Sequence, residues 1–225
     1  MDCQALSLTL TLLTLFLSGT LTGKGAPLSS TGLELASKAS ISLDASAGWS
    51  GRFWGRTQCS TDPSGKFTCA TGDCGSGQIA CNGAGATPPV TLVEFTLASN
   101  GGDGQDFYDV SLVDGFNLPI SVTPQRGSGC GTTSCPANVN AVCPSKLAVK
   151  GSDGSVIACK SACLAFNLPQ YCCTGDFGTP EKCQPSDYSK IFKQQCPQAY
   201  SYAFDDKSST FTCSGGANYV FTFCP

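Results

Sequence analysis

Fifteen of the chain's 16 cysteines lie between Cys59 and Cys224, and none of its 225 residues is a histidine. A segment cross-linked at that density folds around covalent staples, because disulfides persist only where thiols are not kept reduced. The absence of imidazole removes every mechanism built on a histidine base, so acid–base chemistry falls to carboxylates. Zinc is the competing use of clustered cysteines, and the pairs Cys69/Cys74 and Cys159/Cys163 have ligand-like spacing. Without histidine, and with cysteines scattered along the whole chain, disulfides are the better reading; no metal and no cofactor are expected. Adjacent Cys172 and Cys173 have Cα atoms about 3.8 Å apart, below the usual disulfide span of about 4.4–6.8 Å, so they take separate partners.

With 26 Gly, 13 Pro and only 13% charged residues, the chain favours turns and short strands over long helices. The net charge of −3 and the scatter of basic residues exclude a nucleic-acid binder, which needs a basic face to release counterions. No polybasic run offers a membrane patch either.

Leu6 to Leu17 is an apolar run broken only by Ser and Thr, followed by the small residues Ser18, Gly19 and Thr20. It is shorter than the ~20 apolar residues of a comfortable bilayer span. Residues 1–24 therefore read as a cleavable leader, although Asp2 is acidic and no Lys or Arg precedes Lys24. Removal of Cys3 with that leader leaves an odd number of cysteines. Secretion out of the cell is expected. No Asn-x-Ser/Thr triplet offers an N-glycosylation site.

Along the rest of the chain, Ala39 to Leu43 alternates as a half-buried strand would, and Gly51 to Arg56 reads as a strand leading into Cys59. Cys59 to Cys81 holds four cysteines and almost no aliphatic residues, so disulfide loops must organise it. Val90 to Leu97 is the strongest strand, β-branched and aromatic throughout. A Gly101–Gly104 turn pairs it as a hairpin with Phe107 to Val113. Leu118 to Val122 continues the sheet, with Pro119 at an edge or bulge. Helices are expected at Ala162–Asn167 and Ser186–Gln195, the second with an inward stripe of Tyr188, Ile191 and Phe192. Tail strands are expected at Tyr200–Phe204, Thr210–Cys213 and Tyr219–Phe223.

The run Gly65-Lys-Phe-Thr-Cys-Ala-Thr-Gly-Asp-Cys-Gly-Ser-Gly-Gln-Ile-Ala-Cys81 resembles the signature of thaumatin-like proteins, the pathogenesis-related class-five defence proteins of plants. Further matching motifs are Trp49-Ser-Gly-Arg-Phe-Trp-Gly-Arg56, Asp106-Phe-Tyr-Asp109, Val113-Asp-Gly-Phe-Asn-Leu-Pro119, Tyr171-Cys-Cys173, Tyr200-Ser-Tyr202 and Phe221-Thr-Phe-Cys-Pro225. The resemblance runs from about Gly25 to the end. It implies a mainly β, flattened antiparallel sandwich from residues 25–56, 86–129 and 197–225. A small disulfide loop domain at 57–85 and a disulfide-rich loop-and-helix domain at 130–196 complete it.

The family's cysteine pattern implies Cys59–Cys69, Cys74–Cys81, Cys130–Cys213, Cys135–Cys196, Cys143–Cys159, Cys163–Cys172 and Cys173–Cys183. Family members begin with a strand whose cysteine bonds the last one. Here the leader runs directly into Gly23-Lys-Gly-Ala-Pro27, so that strand is expected to be absent and Cys224 to be unpaired. A sheet edge would then be left unprotected.

The resemblance also implies an acidic cleft that binds β-1,3-glucan. By motif match its residues are Arg52, Glu94, Asp109, Asp114 and Asp205, with Asp206 competing for the last place. Glu94 is the candidate general acid, and Asp109 or Asp114 the base or nucleophile, since glycoside hydrolysis needs two carboxyl groups in different protonation states. Simpler roles are available to several acids: Glu94 could face solvent on its strand, and Asp109 and Asp114 could be turn or edge residues. Asp73 in its tight loop suits an Asx hydrogen bond. Arg56 reads as structural, and Trp54 and Phe107 as core. Three functions follow from the family: a stress-induced antifungal protein that binds fungal wall glucan and disturbs fungal membranes, an endo-β-1,3-glucanase, or an inhibitor of hydrolases. A monomer is expected.

Overall fold

The computed structural model describes residues 15–21 by their backbone, then residues 28, 30–100 and 103–225. A seven-stranded sheet forms its centre. Its strands are β1 (Leu15–Leu21), β2 (Leu33–Leu35), β3 (Ser50–Thr61), β4 (Phe67–Thr71), β5 (Leu92–Thr96), β6 (Gln105–Ser111) and β11 (Phe211–Ser214), in the order β11-β6-β5-β3-β1-β2 with β4 paired to β3. A second sheet has the order β12-β7-β8, from Asn218–Phe223, Ile120–Gln125 and Thr133–Cys135. Strands β9 (Ala148–Lys150) and β10 (Val156–Cys159) make a separate antiparallel pair.

The alternation along β5 and β6 explains why two sheets stack. Val93 and Phe95, with Tyr108 and Val110, are buried on one face of the large sheet. They share a core cluster with Ile120 and Val122 of β7. Phe95 packs edge-on against Tyr219 and Phe221 of β12, with ring centroids 4.5 and 5.7 Å apart. Burial of such aromatic and branched side chains is worth roughly 1.5–3 kcal/mol each.

The helical segment follows β10: α1 (Ala162–Phe166), α2 (Pro169–Cys172) and α3 (Asp187–Gln195). The hydroxyls of Ser161 and Ser186 cap α1 and α3 by accepting the amides of Leu164 and Ser189. Pro169 at the first position of α2 needs no amide partner there. Phe192 of α3 is buried in the core, with Tyr188 packed partly against it. A last single turn, α4 (Asp206–Ser209), precedes β11.

Between described residues, seven disulfides join Cys59 to Cys69, Cys74 to Cys81, Cys130 to Cys213, Cys135 to Cys196, Cys143 to Cys159, Cys163 to Cys172 and Cys173 to Cys183. Around the loop between β4 and β5, Arg56 is fully buried; its guanidinium donates to the Ile79 carbonyl at 2.6 Å and lies 5.1 Å from the centre of the Phe67 ring. Asp73 accepts the amides of Cys69 and Gly75. Gly72 has φ +66°, and a Cβ there would meet the Gly55 carbonyl oxygen at 2.7 Å. Only glycine fits that approach.

Several expectations are corrected. A strand is present where one was expected to be missing: β1 pairs with β3 from Phe16↔Arg56 to Leu21↔Gly51 and with β2 on its other side. The apolar composition that suggested a leader over residues 1–24 equally suits a sheet strand, and it covers the edge of β3; residues 1–14 lie outside the described residues. Cys224 is disulfide-bonded rather than unpaired, and its partner lies outside the described residues. Ala39 to Leu43 is irregular and Ile41 is exposed; among the described residues no strand pairs with it. β7 does not extend the large sheet but crosses to the second one. Tyr200 to Phe204 is a turn-rich segment with a single bridge, Ser111↔Tyr200.

Candidate acidic site

Register places three charged side chains in one row. Arg52 of β3 lies opposite Glu94 of β5, and Glu94 lies opposite Asp109 of β6. All three alternate with the core residues Phe53, Val93, Phe95, Tyr108 and Val110, so they project from the face turned away from the second sheet. One row along that face, Ser50, Thr96 and Phe107 stand opposite one another. In the other direction, Leu92 and Ser111 are paired and buried. The charges thus occupy the border where the sheet face passes from open to covered.

The three groups are not equivalent. Arg52 Nε donates to Glu94 Oε1 at 2.7 Å, across the strand pair. Asp109 has no such neighbour, and its Oδ2 is buried without a hydrogen-bond partner among the described residues. Burial, reinforced by the charges of Glu94 and Asp206 and only partly offset by Arg52, pushes the Asp109 carboxyl up to about 8. Asp109 therefore carries a proton at neutral pH, an acid among acids.

The segment after α3 closes the site. Backbone bonds from Tyr200 to Val110 and from Leu112 to Tyr200, both 2.8 Å, lay this segment along the end of β6. Tyr200 then donates its hydroxyl to Asp206 Oδ1 at 3.0 Å. Asp205 faces another way. Its Oδ2 accepts from Ser201 N at 3.0 Å and Ser201 Oγ at 2.8 Å, and pairs with Lys193 Nζ of α3 at 3.0 Å. Those bonds occupy Asp205 in the fold, so Asp206 is the second acid whose charge reaches Asp109. Asp114 lies in the turn after β6, where its carbonyl accepts the Val90 amide, and it is not among the charges acting on Asp109.

Phe107, expected in the core, is 47% exposed and lies two residues before Asp109 on the same face of β6. An exposed ring beside a polar row offers a flat apolar surface to solvent. The signal was in the period-two pattern: Phe107 alternates with the buried Tyr108 and so lies on the sheet face turned away from the core. Trp54, by contrast, is fully buried and donates its indole N–H to the Gly72 carbonyl at 2.8 Å.

The sequence profile of the Thaumatin family matches residues 14–225. The chain belongs to the thaumatin family. The match begins inside the stretch read as a leader, ahead of the Gly25 start of the motif resemblance. Thaumatin-like protein 1 of Pyrus pyrifolia is 73% identical over 209 residues, covering 92% of this chain and 85% of that protein. A Prunus avium protein named glucan endo-1,3-beta-glucosidase is 67% identical over 209 residues, covering 92% of this thaumatin-family chain and 84% of its own length. The solved structure of a thaumatin-like xylanase inhibitor superposes with a TM-score of 0.49 at 23% identity, over 96% of this chain and 95% of that one. Seven disulfides suit an oxidising compartment. Among the described residues no helix is long and apolar enough to cross a membrane.

Proposed function

We propose that this thaumatin-family chain is a secreted plant defence protein that binds β-1,3-glucan of fungal walls across the Arg52–Glu94–Asp109 row. The observation that supports this most is the register itself, which sets an ion-paired carboxylate directly beside a buried, protonated one. Together they offer an acceptor and a donor to neighbouring sugar hydroxyls. Phe107 supplies an apolar surface next to them. Asp114 and Asp205 stay outside the binding row in this reading, and Asp206 joins it.

A second reading, endo-β-1,3-glucanase activity, is favoured by the same pair and by the printed name of the Prunus avium relative. Here the sequence-based assignment of Glu94 as acid is reversed. Asp109 holds the proton and gives it to the glycosidic oxygen, while Glu94, aligned by Arg52, stabilises or attacks the anomeric carbon. Directly opposed residues on antiparallel strands have Cβ atoms about 4.5–5.5 Å apart, near the roughly 5–5.5 Å carboxyl spacing of retaining glycosidases. Incubation with laminarin separates the readings. Retention on the polysaccharide without new reducing ends indicates binding alone. Reducing-sugar release abolished by Asp109→Asn and by Glu94→Gln indicates hydrolysis, and no retention at all overturns both.

A further inference from the structure

We propose that the recess between helices α1, α2 and α3 and the 201–203 segment is a neutral subsite that takes one pyranose ring of a glucan chain lying on the charged row. The inference rests on the glucan reading above and extends it. The recess is open to solvent on one side, its empty space counted out past the mouth comes to about 500 Å³, and none of its lining residues is charged. Its polar groups include Ser161, Ser186, Gln170, Gln184, Tyr171 and Tyr202.

These groups suit a sugar and little else. Ser161 and Ser186 already accept the capping amides of their helices, so each hydroxyl proton points away from its own helix cap and can be donated. Gln184 donates its amide to the carbonyls of Pro180 and Glu181, which fixes the side chain and leaves its carbonyl oxygen to accept. Tyr171 and Tyr202 add ring faces and hydroxyls. A phosphate, sulfate or carboxylate would find no cation here, and an apolar ligand would strand the hydroxyls. An unsubstituted pyranose meets donors, acceptors and ring faces at once. The walls are also pre-set, since Cys163, Cys172 and Cys183 line the recess and are held in the Cys163–Cys172 and Cys173–Cys183 disulfides.

Continuity with the row is visible at two residues. Tyr202 lines the recess, and its phenol is pushed up by burial and then by Asp205 and Asp206. Asp206 in turn acts on Asp109. Val113 lines the recess and follows Asp109 by four residues, the last two past the end of β6, so at roughly 3.3 Å per residue the two lie at most about 13 Å apart. A short run of sugar rings bridges that gap.

The test is calorimetric titration with β-1,3-linked gluco-oligosaccharides of increasing length, on the wild type and on Ala203→Trp, which fills the recess from an exposed wall position. The wild type is expected to gain about tenfold or more in affinity once chains reach the recess. Ala203→Trp should bind long and short chains alike, and Tyr202→Phe should lose part of the gain. Near-ultraviolet circular dichroism verifies each fold, and Tyr202→Phe alone decides if Ala203→Trp does not fold. Equal gains with length in all three proteins overturn the subsite while leaving glucan binding at the row intact. Failure of the wild type to bind any length overturns both.

Discussion

Glu94 and Asp109 face each other on neighbouring antiparallel strands, yet only Glu94 has an arginine within hydrogen-bonding distance. That asymmetry splits two chemically similar carboxyls into an ion-paired base and a buried acid. It costs stability, because a proton must be held, or a charge buried, at Asp109.

The stability of the protein should therefore depend on pH through Asp109. Below the ordinary carboxyl value of 3.8, folded and unfolded chains both hold the proton, and no charge is buried. As pH rises the unfolded chain ionises first, while the folded chain retains the proton until about 8. Stability falls across that window and levels off above it. In disulfide-intact denaturant unfolding at several pH values, Asp109→Asn should flatten the slope and be the more stable protein above pH 8.

Arg52→Gln should raise the Asp109 titration further, because Arg52 is the one neighbouring charge that lowers it. The global stability change should be only about 0–1 kcal/mol, since the Arg52–Glu94 pair is half exposed. Carbon-detected NMR of the aspartate carboxyls reads the shift directly.

The adjacent acids Asp205 and Asp206 should respond oppositely. Asp205→Ala removes the acceptor for Ser201 and Lys193 and should cost about 1–3 kcal/mol in unfolding. Asp206→Asn lies on an exposed turn and should stay within about 0.5 kcal/mol. It should nevertheless lower the Asp109 titration, because the charge of Asp206 raises it.

Cys224 should resist alkylation in the unreduced folded protein and react only after reduction, since it is disulfide-bonded. Peptide mass spectrometry after iodoacetamide treatment checks this. A quantitatively labelled Cys224 before reduction would contradict the structure.

The charged row was legible through the family motifs that carry its residues, and the strand period of two gives the physical reason those residues meet. Arg52, Glu94 and Asp109 each alternate with apolar neighbours, so a sheet that buries Val93 and Tyr108 must gather the charges on its other face. What local pattern could not supply was the choice between equals. Asp205 and Asp206 are adjacent and alike, and the distant Lys193 decides which one is withdrawn. Leu15–Leu21 is apolar enough for a leader or a strand, and only its pairing with β3 distinguishes them. Ala39 to Leu43 has the alternation of a strand without a partner to pair with. Asp114 carries the right residue type in the right motif, but its turn sets it apart from the charges that act on Asp109.

The most direct test of the account is calorimetric titration of laminarin into the wild type and the Glu94→Gln/Asp109→Asn double variant at neutral pH. Saturable binding by the wild type, with at least a tenfold loss in the folded double variant, is the expected result. Equal affinity in the two proteins would contradict it, because the paired carboxyls would then have no part in holding the glucan.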